Sequence, residues 1–470
     1  MTDPTTLTLV GAAEAVRQGR LSARELTQAT IAKAERLQPV LNCFIHRHPE
    51  QALAAADAAD AARRRGAALG PLHGVPLAHK DMFYRAGLVS TCGSAIRKDF
   101  LPTQTATVLG RLDAAGAIDL GGLNMSEFAF GPTGHNAHWG DCRNPWNPDH
   151  VTGGSSSGSG SCVAARIAFG ALGSDTGGSV RLPAGLCGVV GLKPTQTRVS
   201  RHGAMGLSFS LDAVGPLART VRDCARLFTL IAGHDPEDPT SSRLAVPDCE
   251  ATTLAPQIKG LRIGVPSNYY YDLATDEVRD LMRASLRVFA DLGAEIVDVA
   301  VPEHERVREL ASAVIIPEAA TLHAAWLRER PHDYGAQVRA RIELGLSFPA
   351  HRYLQALQVR SEILRRFVQK VFSRCDVLHA PVLAFPVPTR AETDVKDGPS
   401  FPTVLARMTW CTSPINYLGL PGLAVPCGFT SNGLPGAFQL VGRPFAEGDL
   451  FRVGAAYEQA GIWTERAPAL

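Results

Sequence analysis

Between residues 276 and 293, DEVRDLMRASLRVFADLG sets Val278, Leu281, Met282, Ser285, Val288, Phe289 and Leu292 at the spacing of one helical face. Gly293 stands where a helix closes in a left-handed residue. The flanking runs, LRIGV (261–265) and AEIVDVAV (294–301), are short and apolar, as strands are. Strand, helix, strand is a βαβ unit, which predicts parallel strands covered by a helix. Near the start, Leu21-Ser22-Ala23-Arg24-Glu25-Leu26 predicts a helix N-terminus. Ser22 and Glu25 form a capping box there, and Leu21 and Leu26 sit where a hydrophobic staple closes. An Ala-rich stretch from Pro49 to Arg65 predicts a second helix, and PLHGVPLAHKDMF (71–83) a strand entering a buried centre. Residues 235–260 are polar and proline-bearing and read as a surface crossing.

One segment breaks this patterning. GGSSSGSGS (153–161) lies between NPWNPDH and the apolar CVAARIAFGALG. Gly/Ser runs are usually flexible linkers. A linker, however, has no need of a second glycine-rich turn, and ALGSDTGGSVRLPAGLCGVVGLKPT (171–195) supplies one. Two Gly-Gly-Ser triplets end at Ser155 and Ser179, 24 residues apart. Gly154-Ser155-Ser156-Ser157-Gly158 also fits the G-x-S-x-G nucleophile elbow, which would name Ser156. Any Gly/Ser run produces that pattern, and none of the 14 histidines is set in register to complete it. A phosphate-binding loop would need a lysine where Ser159 stands, so that reading fails.

Totals narrow the field further. At 470 residues the chain exceeds the roughly 100–150 of a common domain, so length alone suggests two or three. Net charge is +2 with 20% charged residues, which calls for neither nucleic acid nor a membrane as partner. No apolar run approaches the roughly 18 residues that span a bilayer, and the N-terminus lacks a signal-peptide pattern. The 10 cysteines are scattered and include no C-x-x-C pair, which fits buried thiols in a reducing, cytoplasmic setting.

The order GVPLAHKDMF, GGSSSGSGS, GSDTGGSVRLPAGLCGVVGLKPT resembles the amidase signature family of Ser-cisSer-Lys hydrolases. The likeness extends to NPWNP (144–148), DAVGPLART (212–220) and NYLGLPGLAVPCGF (416–429). It implies one domain over 1–470, a three-layer α/β/α sandwich around a mixed, largely parallel sheet. Residues 71–220 would be its catalytic core and 220–400 a variable cover over the substrate site. By position, Ser179 corresponds to the nucleophile, Ser155 to the bridging serine after a cis peptide bond, and Lys80 to the general base. Thr176, Gly177 and Gly178 would offer backbone N–H groups as the oxyanion hole, and the Ala129 backbone would line the substrate site. No cofactor and no metal is implied.

The chemistry demands such a set. An amide carbonyl is a poor electrophile, so attack needs an activated oxygen and donors for the developing oxyanion. A lysine serves as base only when neutral, and burial in an apolar strand lowers its pKa by penalising the ammonium. A lysine out of reach of the nucleophile needs a hydroxyl relay, which Ser155 provides. Other candidates read as structural. His79 would face away from Lys80 on a strand. His135 and His138 have metal-like spacing without an implied third ligand. Ser156, Ser157, Ser159 and Ser161 read as loop hydrogen-bonders, and Asp175 with Arg181 as a charge-assisted brace for the turn.

The family cleaves many small amide-type substrates, carbamates and hydrazides included. It also contains the A subunit of the tRNA-dependent amidotransferase, which draws ammonia from glutamine. YGAQVRARIELG (334–345) resembles that protein, with Arg341 where an arginine meets a substrate carboxylate. In RMTWCTSPINYLGLP (407–421), Thr409 stands where those proteins carry an aspartate. The expectation is a stand-alone amidohydrolase on linear amides, with the glutamine-hydrolysing amidotransferase component or a carbamate- or hydrazide-cleaving enzyme as the alternative. A homodimer or a small partner subunit is compatible with it.

Overall fold

The helix and strands expected at 261–301 form, and they belong to a sheet that runs through the whole chain. The computed structural model describes residues 3–395, 398, 400–461 and 466–470. Its strands are β1 (Pro76–Lys80), β2 (Ile118–Leu123), β3 (Gly170–Asp175), β4 (Val190–Lys193) and β5 (Ala213–Ala218), followed by β6 (Arg262–Pro266), β7 (Glu295–Val299), β8 (Val377–Pro381), β9 (Gly422–Phe429) and β10 (Pro435–Val441). They form one ten-stranded sheet in the order β2-β1-β3-β5-β4-β9-β10-β8-β6-β7. The sheet is mixed. β1 pairs parallel with β2 and β3, and β6 with β7 and β8, so the parallel ladders lie at its two ends. The centre, from β3 through β5, β4, β9 and β10 to β8, is antiparallel.

Every residue of β1, β3, β4, β5 and β8 is buried. Successive side chains point to opposite faces, so such strands must be covered on both sides. Helices supply that cover and make the three-layer α/β/α sandwich. Helix Asp276–Asp291 buries Val278, Met282, Ser285 and Phe289, with Thr275 as its N-cap and Gly293 left-handed beyond its end. Helix Ala23–Leu41 carries the predicted capping box between Ser22 and Glu25, and the Ala-rich helix spans Pro49–Arg64.

Three expectations need correction. Residues 220–400 are more than a cover, because they supply β6, β7 and β8 to the central sheet. The glycine-serine run is only half loop, since helix Ser157–Ala164 starts inside it. Its glycines serve close packing: a Cβ on Gly158 would lie 2.5 Å from the Cys43 carbonyl oxygen, and one on Gly160 2.7 Å from that of Pro183. Finally, helix His304–Glu329 is long and apolar enough by composition to cross a membrane. It is packed into the protein through Val307, Ala311, Val314, Ala319 and Leu327, and it carries buried Glu318 and His323 with polar partners.

The tight helix predicts a sharp response to added volume. Gly158→Val should destabilise the fold by about 1–3 kcal/mol, because backbone atoms on the Cys43 and Asn124 side cannot move aside cheaply. A urea midpoint equal to that of the wild type would show the packing to be looser than described.

Candidate active site

β1 delivers Lys80 at its C-terminal end, into a pocket where the side chain is 1% exposed. Its Nζ donates to Ser155 Oγ at 2.6 Å and to Ser174 Oγ at 2.8 Å, Ser174 lying on the neighbouring β3. Burial lowers its pKa to about 7, against the smaller opposing pull of Cys92, Asp212 and Asp175. Ser155 follows a cis Gly154–Ser155 peptide and is fully buried. Ser156 N–H donates to the Ser179 carbonyl at 3.3 Å, which seats the first serine loop on the second. Ser179 is the most open of the three at 9% exposure, and its hydroxyl has no hydrogen-bond partner among the described residues.

The turn that presents Ser179 leaves β3 and enters helix Arg181–Cys187. Asp175 organises it. One carboxylate accepts from the N–H groups of Gly178 (2.7 Å), Val180 (3.2 Å) and Arg181 (3.3 Å). The same carboxylate pairs with the Arg181 guanidinium, Nε to Oδ2 at 3.1 Å, with both side chains fully buried. Burial alone would raise the Asp175 pKa, but Arg181 and the hydrogen bonds overcome it and hold the carboxyl well below the usual range. Thr176 Oγ1 donates to Asp212 at 2.6 Å, and Thr412 Oγ1 to the Gly177 carbonyl at 2.7 Å. Gly178 has φ +127°, and a Cβ there would collide with Thr412 Oγ1, so this position needs glycine.

Comparison with known proteins covers almost the whole chain. The amidase family model matches residues 25–451. The chain belongs to the amidase signature family. It is 42% identical over 497 aligned residues to the A subunit of a glutamyl-tRNA(Gln) amidotransferase from Chloroflexus aurantiacus, with 100% of each chain covered. Among solved structures, a chain from a vestigial protein complex bearing on the origins of an s-triazine catabolic enzyme superposes with TM-score 0.91. It is 35% identical and covers 97% of this chain and 99% of its own. The A subunit of the glutamyl-tRNA(Gln) amidotransferase from Thermotoga maritima gives TM-score 0.81 at 32% identity, covering 98% and 96%.

Other candidate residues of this amidase signature protein fall into place unevenly. The Gly178 N–H, expected in an oxyanion hole, is already engaged by Asp175. The N–H groups of Thr176, Gly177 and Ser179 carry no hydrogen bond among the described residues. Ala129, left-handed at φ +60°, sits in a loop tied to the Ser155 loop by Ser126 N–H to the Ser155 carbonyl (3.1 Å) and Gly154 N–H to that of Pro132 (2.7 Å). Arg341 lies 3.6 Å over the Phe130 ring, donates to the Phe130 carbonyl at 2.8 Å, and forms no ion pair among the described residues. Ser156 Oγ is turned onto the Ser174 backbone at 3.3 Å, while Ser157, Ser159 and Ser161 donate to the carbonyls of Asn124, Leu172 and Arg143. His79 Nδ1 accepts from the Leu172 N–H at 3.3 Å. His135 and His138 diverge to Asp141 and Glu127, each at 2.9 Å, carboxylate partners that the spacing alone does not reveal. No metal-ligand cluster exists among the described residues.

Ser174, Asp212, Thr412 and Asn416 escape sequence reasoning, since their roles depend on side-chain contacts between segments far apart in the chain. Only Ser174 carries a usable signal, as a polar residue inside the buried strand beside Lys80.

The turn's electrostatics predict an acid-sensitive fold. The lowered Asp175 pKa contributes stability above the ordinary carboxylate value of about 3.9, and that contribution is lost as pH falls below it. Asp175→Asn should cost about 3–5 kcal/mol at neutral pH by leaving Arg181 buried and unpaired, and should remove that part of the acid dependence. Urea midpoints between pH 3 and 7 for both proteins check this; parallel curves would contradict it.

Proposed function

We propose that this protein is an amidohydrolase acting on linear, non-peptide amides. Ser179 Oγ attacks the carbonyl carbon while its proton passes through the Ser155 hydroxyl to Lys80. The N–H groups of Thr176, Gly177 and Ser179 receive the developing oxyanion. The proton returns by the same route to the departing nitrogen, the C–N bond breaks, and Ser179 carries the acyl group. Water then attacks the ester and gives a proton to Lys80 through Ser155; that proton returns to Ser179 Oγ as its bond to the acyl carbon breaks, which releases the acid and restores the enzyme.

The observation that carries this reading is the buried Lys80 amine, 2.6 Å from a hydroxyl, in no ion pair among the described residues and with its pKa brought to about 7 by burial. An amine in that state accepts a proton at neutral pH. The hydroxyl bridge matters because it can donate to the neutral amine and accept from the nucleophile in turn.

The relatives named as amidotransferase subunits favour a second reading, glutamine hydrolysis inside an assembly with a partner protein. Thr409 weighs against it. Its hydroxyl donates to the Leu405 carbonyl at 2.9 Å within its own helix, and this position offers no carboxylate for a glutamine amino group. A panel of aryl amides, carbamates, hydrazides and glutamine, read by released amine or ammonia, separates the two. Glutamine as the fastest substrate, dependent on an added partner, would displace the stand-alone reading.

Because neutral Lys80 is the base, kcat/KM should rise with pH through about 7 and hold above it. A histidine base would titrate near 6.5, so variants decide the matter. Lys80→Ala should remove the limb and roughly 10²–10⁴-fold of the rate. Lys80→Arg should not rescue it, since a guanidinium stays protonated. Ser179→Ala should abolish both turnover and labelling by a fluorophosphonate probe. A Lys80→Ala enzyme with the wild-type profile at comparable rate would overturn the assignment.

A further inference from the structure

Helix His304–Glu329 is apolar by composition, yet Glu318 stands in its middle and is 1% exposed. Four donors reach the Glu318 carboxylate, all of them neutral. They are the Ser208 hydroxyl, the Ser210 N–H at 3.0 Å, the Ser210 hydroxyl and the Tyr353 hydroxyl at 3.0 Å. Burying a carboxylate costs free energy, and packing alone is served by an apolar residue. The hydrogen bonds therefore point to a task at residues 208–210. The Ser210 carbonyl also accepts from Arg360 at 2.9 Å, so helices His304–Glu329 and Ala350–Phe372 hold this segment together.

Two further contacts connect the segment to the Ser179 turn. Ser208 is shared. Its hydroxyl goes to Glu318, its N–H donates to Asp212 Oδ2 at 3.0 Å, and its carbonyl accepts from the Asp212 N–H at 2.9 Å. The Leu207 N–H donates to the same Oδ2 at 2.8 Å. Asp212 Oδ1 is thereby left to accept from Thr176 Oγ1 at 2.6 Å.

Strand pairing explains why Asp212 stands there. Asp175 on β3 lies opposite Ala213 on β5, which puts Asp212 beside Thr176. Pairing fixes the backbone, and the N–H groups of Leu207 and Ser208 aim the carboxylate. A Cβ on Gly206 would lie 3.5 Å from Asp212 Oδ2 and 3.7 Å from Leu322 Cδ1, one helical turn beyond Glu318. The helix and the Asp212 carboxylate thus meet across a single residue.

We infer that Glu318 is a positioning residue for the oxyanion hole: through Ser208 and Asp212 it fixes Thr176, and with it the N–H proposed to receive the developing charge. The inference rests on the amidohydrolase reading and extends it to a residue outside the Ser179 turn.

The test follows the rate of fluorophosphonate labelling, together with kcat and KM on one 4-nitroanilide with good turnover. Labelling needs the same N–H groups, because the phosphoryl oxygen takes the oxyanion's place. Glu318→Gln, Ser208→Ala and Asp212→Asn should each slow labelling and kcat by roughly 10²-fold, the effect of a shift of about 1 Å at the reacting atoms, with KM changed less than about threefold. Adding Glu318→Gln to Asp212→Asn protein should slow labelling by less than about twofold more, since the effect passes through Asp212. Ser208→Ala deletes a single hydroxyl and carries the test should Glu318→Gln protein fail to fold. Labelling within about twofold of wild type in Glu318→Gln and Ser208→Ala would overturn the inference. So would a Glu318→Gln loss that multiplies in full with that of Asp212→Asn, or one that lies in KM. Labelling that depends on Glu318 in a protein that cleaves no amide would keep the positioning role and sink the hydrolase. Anilide turnover indifferent to Glu318→Gln and Ser208→Ala would do the reverse.

Discussion

The site depends on one fully buried ion pair, Asp175 with Arg181. Such pairs add little net stability, because desolvation consumes most of the Coulomb gain. Their value here is geometric. Asp175 gathers the N–H groups of Gly178, Val180 and Arg181 on one side of the turn and the Asn416 amide, at 2.9 Å, on the other. Arg181 extends the grip to Gln439 at 2.8 Å, Asn416 at 2.6 Å and the Thr412 carbonyl at 3.0 Å. With those donors locked inward, the N–H groups of Thr176, Gly177 and Ser179 are the ones in the turn left without a hydrogen bond among the described residues. The brace decides which amides are available.

Two lysines are buried alike but partnered differently. Lys193 is as deeply buried as Lys80, and its pKa is also lowered to about 7. Its ammonium donates to the carbonyls of Pro194 and Leu420, at 2.8 and 2.7 Å. Carbonyls only accept, so nothing there can donate to the lone pair of a neutral amine. Lys80 faces two hydroxyls, which can accept from the ammonium and donate to the amine. The partner's chemistry, more than the depth, separates a structural lysine from one able to exchange a proton.

Motif and periodicity carried different parts of the structure. The capping box at Ser22 and the amphipathic face of 276–291 are local facts, and both helices form where the spacing puts them. The antiparallel centre of the sheet left no such trace, because β5 is buried on both faces and shows no alternation to read. Small residues in 157–161 hid a helix, since Gly and Ser are poor helix formers and only the tertiary contact with Cys43, Asn124 and Pro183 explains them. Lys80, Ser155 and Ser179 stood out through two glycine-rich motifs and a resemblance, whereas Asp212 and Thr412 acquire meaning only once distant loops close on the turn. The carboxylates on His135 and His138 were hidden for the same reason.

The reach of Arg181 also bears on synthesis. Its partner Gln439 lies 258 residues downstream, on the penultimate regular element of the chain. Contacts of such long sequence separation form late, and a chain leaving the ribosome N-terminus first cannot make them early. Lys80, Ser155 and Ser179 therefore emerge together well before the strand and helix that hold the Ser179 turn in shape. The nascent chain carries all three side chains before the Asp175–Arg181 brace can reach its partner on the late strand.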